Sequence, residues 1–140
     1  MFNIAEYDPV EVLNVGDLSI SFATTVHSVP AWAMRVTGPS GGDFGYTADT
    51  GPTADLAGFF RGVRLLASEA TEPDTTQEPP HQRNHMTARE AARLAADAQA
   101  QALILTHHWE ELGLDRAALE AQSVFDGLVM VARPGLSVFI

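Results

Sequence analysis

Two stretches decide the fold of this chain: Tyr46-Thr47-Ala48-Asp49-Thr50-Gly51-Pro52 and Leu103-Ile104-Leu105-Thr106-His107-His108. Each is an apolar segment, predicted to be a strand, that runs directly into a carboxylate or an imidazole. Two segments between them, 68–71 and 85–87, place polar groups just past an apolar strand or just before a helix. Since strand ends deliver side chains to one edge of a sheet, the pattern predicts a polar site there, suited to metal ligands.

Length and composition indicate one globular domain that spans residues 1–140. A chain of 140 residues buries roughly 70% of its unfolded surface, which allows a modest core. The 46% hydrophobic content is spread over short runs, and no run approaches the ~20 apolar residues of a membrane helix. The first residues lack the basic and apolar regions of a signal peptide, so we expect a cytoplasmic protein that makes no membrane contact.

Charge and the lack of cysteine limit the chemistry. Without a thiolate, any zinc would be held by histidine and carboxylate, which gives weight to the five histidines. The formal net charge of -10, with only eight Lys and Arg residues, repels phosphate backbones. Nucleic acid is therefore a disfavoured partner, whereas a small anion held by a metal is not.

Hydrophobic periodicity predicts strands and helices in alternation. Strands are expected at 18–23, 31–36, 44–48, 63–67 and 102–106, with a closing hairpin of 128–131 and 136–140, and helices at 54–61, 88–100 and 115–125. Thr87-Ala88-Arg89-Glu90 matches a capping box, and Asp115 is predicted to cap the last helix. The polar loop 72–84 holds three prolines and is long enough to suggest a function. The fold class is α/β, a mixed sheet with flanking helices.

The polar motifs follow one another in a recognisable order. His27-Ser28-Val29-Pro30 comes first, followed by D-T-G-P from Asp49, E-A-T from Glu69, H-x-T from His85 and L-T-H ending at His107. This order, over residues 18–140, resembles the second half of metallo-β-lactamase-fold hydrolases, closest to the ribonuclease Z-like and cyclic-nucleotide phosphodiesterase-like branch. The resemblance implies the C-terminal half of an αββα sandwich with two divalent ions at the sheet edge, zinc first and manganese as the alternative.

The resemblance also implies a role for each matched residue. His27 is similar to the lone histidine of the first metal site, Asp49 to the carboxylate that bridges both ions, and His107 to the histidine of the second site. His85 is similar to a histidine that assists the leaving group, so Asp49 and His85 are the candidate catalytic residues. Two residues of the E-A-T turn are expected to orient these groups: Glu69 and Thr71.

The H-x-H-x-D-H motif that supplies most metal ligands in this family is absent from the sequence. Residues 2–4 and 10–12 are strand-like and begin in mid-pattern, without an N-terminal lead-in. We therefore expect a partial domain that starts inside the family fold, with an incomplete ligand set and no activity of its own.

Each motif also has a purely structural reading. An Asp-Thr-Gly-Pro sequence is a common turn, because Asp accepts backbone hydrogen bonds and Gly supplies positive φ. His85 could simply precede the helix cap, and His27 or His107 could be an ordinary histidine at a strand end. The ordered combination favours the family, while His81 and His108 are assigned no functional role.

Two functions remain in view. The first is metal-dependent hydrolysis of a phosphodiester, a small cyclic nucleotide or RNA, at a dinuclear site, with a partner supplying the missing half. The second is a non-catalytic half-domain that self-associates or binds a partner through an uncovered sheet face and edge. Both readings allow a homo-oligomer.

Overall fold

One mixed sheet of seven strands organises the chain, and its strand order follows the chain order. The computed structural model describes Ile4, residues 6–109, Glu111 and residues 113–140. The strands are β1 (Leu13–Val15), β2 (Leu18–Thr24), β3 (Trp32–Thr37), β4 (Asp43–Tyr46), β5 (Leu65–Glu69), β6 (Ala102–Thr106) and β7 (Leu128–Val131). The helices are α1 (Ala88–Asp97) and α2 (Leu114–Gln122), with a short 3-10 turn at Pro80–Gln82.

Strand direction changes in the middle of the sheet. Strands β1 to β4 form an antiparallel meander, whereas β4 to β7 are parallel to one another. The parallel pairing places the carboxyl ends of β4, β5 and β6 side by side at one edge. The predicted mixed α/β sheet with flanking helices is confirmed.

Helix α1 begins where the sequence predicts it to begin. The Thr87 side chain accepts a hydrogen bond from the Glu90 backbone N–H, and the Glu90 carboxylate accepts one from the Thr87 N–H, so the capping box is complete. A stripe of buried alanines then faces the sheet: Ala88, Ala91, Ala92 and Ala95. Because alanine is small, the helix backbone approaches the sheet closely, and the start of the helix is fixed beside the sheet edge.

The main core lies between this helical layer and one face of the sheet. Leu66, Leu103 and Leu105 are fully buried on that face, and each contributes about 1.5–3 kcal/mol by leaving water. On the opposite face a smaller buried group consists of Leu65, Ala67 and Ile104. Strands β5 and β6 are therefore apolar on both faces, as expected for the parallel part of a sheet.

The helix predicted at 54–61 is wrong, because this segment is a series of turns. Leu56 and Phe60 are both buried and lie four residues apart, a spacing that a helix would also give. They form one helix-like hydrogen bond, from the Phe60 N–H to the Leu56 carbonyl at 3.0 Å. The turn does not continue, since Gly62 adopts a φ of 73° immediately afterwards.

The ends of the chain also differ from expectation. Within the described residues, β7 pairs with β6 alone, and residues 136–140 form no strand, so the closing hairpin is wrong. Pro134 and Gly135, the latter at φ 87°, turn the chain back toward the Gly42 and Arg64 side of the sheet. Residues 10–12 precede β1 without joining it, while Phe2 and Asn3 lie outside the described residues. Gly113, and not Asp115, stands at the N-cap of α2.

Candidate metal centre

Asp49 is presented to the sheet edge by a strained turn after β4. Ala48 adopts a φ of 53°, a left-handed conformation that is uncommon for a residue with a Cβ. On either side, Thr47 and Thr50 are fully buried. The Thr50 hydroxyl accepts a hydrogen bond from the Val26 N–H at 3.1 Å, which ties the turn to the segment after β2. The turn therefore points the Asp49 carboxylate outward from a rigid base.

His107 occupies the matching position after β6, and its own φ is 49°. Its Nδ1 lies 3.2 Å from Asp49 Oδ1 and 2.9 Å from the Thr71 hydroxyl oxygen. The Thr71 hydroxyl also donates to the His107 carbonyl oxygen at 2.6 Å. Two left-handed residues at two strand ends are typical of a functional site, since each costs about 1 kcal/mol or more that a plain turn could avoid.

His27 approaches from the antiparallel half of the sheet. Its Nδ1 lies 3.2 Å from the Asn84 carbonyl oxygen, and a carbonyl can only accept, so Nδ1 carries the proton. The lone pair is then on Nε2, which lies 3.9 Å from Asp49 Oδ2. A backbone partner that fixes the tautomer in this way is a common feature behind metal-binding histidines.

His85 stands between the other two histidines. Its ring centroid is 5.1 Å from that of His27 and 5.5 Å from that of His107. Its Nδ1 lies 2.9 Å from Glu69 Oε1, which leaves Nε2 as the atom available to a ligand or substrate. Glu69 and His85 are sixteen residues apart in the sequence, so a local sequence pattern does not predict this contact.

Glu69 is the buried carboxylate that holds the three loops of this edge together. Its side chain is 1% exposed. Oε1 accepts from the Thr50 N–H at 2.8 Å and from His85, while Oε2 accepts from the Thr71 N–H at 3.1 Å and the Met86 N–H at 3.2 Å. Both oxygens therefore act as acceptors only, as in an ionised carboxylate.

The loop that carries His85 is anchored by a second ion pair. Arg83 is 5% exposed, and its guanidinium binds both oxygens of Glu90, the capping residue of α1. Hydrogen bonding to Glu90 raises the pKa of Arg83 against the opposing effect of burial. Burial by itself would raise the pKa of Glu90, but the hydrogen bonds from Arg83 and Thr87 bring it below its ordinary value. Both groups are therefore charged at neutral pH.

Tyr46 is a site-edge residue that the sequence reasoning did not single out. Burial, reinforced by the negative charges of Asp49 and Glu69, raises the pKa of its phenol above the usual value. The phenol therefore stays protonated and can donate a hydrogen bond near the carboxylates. Its place at the end of β4, three residues before Asp49, was the available signal.

The arrangement as a whole fits a divalent metal. Asp49, His85 and His107 each offer one ligand atom, and these atoms lie within 4.8 Å of one another. Two imidazoles and a carboxylate are donors that zinc accepts, and the buried Glu69 compensates positive charge from behind. The structure thus brings together the four residues predicted for the site. The three residues whose ligand atoms lie close together are Asp49, His85 and His107, whereas the metal ligands predicted from the sequence were Asp49, His107 and His27. His81 lies on the exposed 3-10 turn, and His108 lines a separate cavity.

Comparison with known proteins shows the family of this chain. A family model described as a beta-lactamase superfamily domain matches residues 1–108. The probable metallo-hydrolase YhfI of Bacillus subtilis is 35% identical over 133 residues, which cover 92% of this chain and 52% of that protein. This chain belongs to the metallo-β-lactamase superfamily. Ribonuclease Z of Nocardia farcinica is another relative, 33% identical over 120 residues, 84% of this chain and 39% of that enzyme.

Solved structures of the metallo-β-lactamase superfamily share the fold. The crystal structure of the metallo-beta-lactamase fold protein YhfI from Bacillus subtilis superimposes with a TM-score of 0.85 at 32% identity, over 93% of this chain and 53% of that one. The chain spans about half the length of the curated relatives it matches. Among the described residues, no helix is long and apolar enough to cross a membrane.

Proposed function

We propose that this chain carries part of the active site of a divalent-metal phosphodiesterase. The observation that supports it most directly is the convergence of Asp49, His85 and His107 within 4.8 Å, with His27 facing the same carboxylate. The proposed substrate is a small phosphodiester, a cyclic nucleotide before RNA, because the formal charge of -10 disfavours a long polyanion. A cytoplasmic location accompanies this proposal.

Two divalent ions, zinc first and manganese second, are the proposed cofactors. Bound ions of this kind lower the pKa of a water and neutralise charge that develops on the phosphoryl oxygens. Asp49 would bridge the two ions, with His27 at one and His107 at the other. These three donor groups are fewer than two ions require. The proposal therefore assigns the remaining ligands to solvent or to another polypeptide segment.

His85 has two possible roles, as a ligand or as the general acid. As the acid, its Nε2–H would donate to the ester oxygen that leaves when water attacks phosphorus and the P–O bond breaks. Glu69 supports this role, since its carboxylate lies 2.9 Å from Nδ1 and holds the ring in place, which leaves Nε2 available to the substrate. Loss of a general acid lowers turnover by about 10²–10⁴-fold with metal content unchanged, whereas loss of a ligand lowers metal content.

Zinc titration of the purified chain tests the proposal. We expect one ion per chain by isothermal titration calorimetry, bound more weakly than the micromolar range, and a further loss of about 100-fold in Asp49→Ala, because the shared carboxylate is removed. His81→Ala is the matched control and should bind zinc like the unmodified chain. Equal binding in Asp49→Ala would contradict the site. Two ions bound with submicromolar affinity would contradict the partial ligand set.

A non-catalytic association module is the second candidate. Four exposed apolar residues border one open groove on the second face of the sheet: Leu128, Val138, Phe139 and Ile140. Exposed apolar clusters of this kind mark surfaces that bind another protein or a second copy. The proposed partners are a second copy of this chain or a polypeptide that completes the site.

Light scattering distinguishes a self-associating chain from a monomer. We expect dimers or larger species at micromolar concentration, because apolar surface that leaves water contributes about 25 cal/mol per Å² to association. Phe139→Glu, at a position 97% exposed, should shift the chain toward monomer. Leu119→Glu adds the same charge on an exposed position of α2 and should leave the mass unchanged. A clean monomer in the unmodified chain would contradict self-association.

A further inference from the structure

A second cavity lies beside the candidate metal centre. Its volume is about 140 Å³, and it lies between the loop after β5 and helix α2. Trp109 forms part of its wall and is 62% exposed, so its side chain is accessible to a ligand. Such a volume holds roughly ten water-sized atoms, comparable to one heteroaromatic ring system. The cavity therefore suits a flat fragment and not a whole nucleotide.

A shallow groove leads from the cavity to a residue that contacts the metal centre. This groove is lined by five residues: Thr71, Glu72, Pro73, Trp109 and Glu111. Glu72, Pro73 and Trp109 line both the groove and the cavity. At its other end the groove includes Thr71, whose hydroxyl contacts His107. A ligand held at the metal centre can thus extend one substituent along the groove toward Trp109.

Charge around the cavity selects the kind of substituent. Three carboxylates line it, from Glu72, Asp74 and Glu120, against one guanidinium, from Arg116. Arg116 forms an ion pair with Glu120 at 2.7 Å. Asp74 forms an ion pair at 2.6 Å with Arg89, which does not line the cavity. The excess of negatively charged carboxylates repels a phosphate. Because carboxylates accept hydrogen bonds, they favour a neutral group that donates them.

We propose that this cavity is the base-binding subsite of the enzyme, and that it prefers a nucleobase with an exocyclic amine. The base would stack on Trp109 and donate its amine to the carboxylates, while the phosphate lies at the Asp49, His85 and His107 group. Stacking of a base on an aromatic side chain is tolerant of sequence, so the amine supplies the selectivity. The placement of the phosphate rests on the proposed function, whereas the stacking on Trp109 does not.

Nucleosides without phosphate test the subsite directly. The probes are adenosine, inosine and ribose, titrated into the full chain in EDTA and followed by nuclear magnetic resonance. Adenosine should bind at least about 5-fold more tightly than inosine, and ribose should not shift the cavity signals. Trp109→Ala should weaken adenosine binding by about 5- to 150-fold, and Trp109→Phe by less, because a phenyl ring retains part of the stacking. Leu119→Ala is the control, because Leu119 lies on α2 but does not line the cavity.

The outcomes separate this inference from the proposed function. Adenosine binding that is unchanged in Trp109→Ala, or no tighter than ribose, overturns the subsite, and a preference for inosine overturns the role of the amine. Because metal is absent from this titration, Asp49→Ala should bind adenosine normally while it fails the zinc titration. If the unmodified chain binds adenosine but no zinc, the proposed function is contradicted and the subsite stands.

Discussion

Replacing Glu69 with glutamine is expected to lower the free energy of unfolding by about 3 kcal/mol, even in metal-free protein. Four hydrogen-bond donors converge on the two buried carboxylate oxygens, three of them backbone N–H groups. Glutamine has the same shape but offers one acceptor oxygen and an NH₂ group. That NH₂ group would lie against two hydrogen-bond donors and leave both without an acceptor. Water cannot replace the lost acceptor, because the side chain at this position is 1% exposed. The loops that carry Asp49, Thr71 and His85 would lose their common attachment.

Urea unfolding at neutral pH in EDTA measures this effect, and zinc titration of the same variant reports whether the loops still bring the ligands together. Glu11→Gln makes the same change at an exposed position outside the site, and should lie within about 0.5 kcal/mol of the unmodified chain. A Glu69→Gln variant as stable as that control would show that the four contacts do not hold the edge together.

Gly51→Ala is the second large expected effect, and its origin is steric. A Cβ at position 51 would lie 2.1 Å from the Arg83 carbonyl oxygen, far inside van der Waals contact. The neighbouring atom is backbone, so no side-chain rotation relieves the clash, and the Gly51 N–H is bound to the Val26 carbonyl at 2.7 Å. We expect a loss of about 3 kcal/mol, or about 10 °C in Tm for a chain of this size.

Thermal unfolding followed by circular dichroism measures that loss. Gly58→Ala is the matched control, because a Cβ there meets nothing within 4 Å and the position has no left-handed φ. It should change Tm by no more than about 4 °C, in either direction. Equal melting of the two variants would contradict the close approach of the Asp49 turn to the His85 loop.

The parts of the fold that rest on local chemistry were predictable from sequence. Helix α1 follows from Thr87 and Glu90, since a capping box needs only four consecutive residues. The central strands follow from apolar runs that end at polar residues. The segment 54–61 was predicted as a helix, but the contacts that hold it in turns come from distant parts of the chain. The predicted hairpin at 136–140 failed for a similar reason, since strand pairing is decided by partners outside the segment.

The candidate site was predictable as a set of residues and not as a geometry. Asp49, His107 and His27 were recognisable at the ends of strands. His85 was also expected at this edge, but its place beside Asp49 and His107 as a possible metal ligand was not. That place depends on Glu69, sixteen positions earlier, and on the Arg83–Glu90 pair that anchors its loop. Tyr46 was not singled out, although its place three residues before Asp49 was a signal, because its proximity to the charge of Glu69 depends on a distant strand. The role of each residue at such a site depends on contacts between loops. The spacing of residues along the sequence does not predict those contacts.

The agreement between strand order and chain order affects how the site assembles during folding. Each strand pairs with its neighbours in sequence, so the sheet can grow outward from any pair without inserting a strand between two others, and each step closes only a modest loop. His27 lies in the loop after β2 and His107 lies directly after β6. These two segments therefore meet only after the strands between β2 and β6 have joined the sheet. Ions held by Asp49 together with His27 and with His107 would therefore bind only late in folding, and would favour the finished sheet over forms in which either side has frayed.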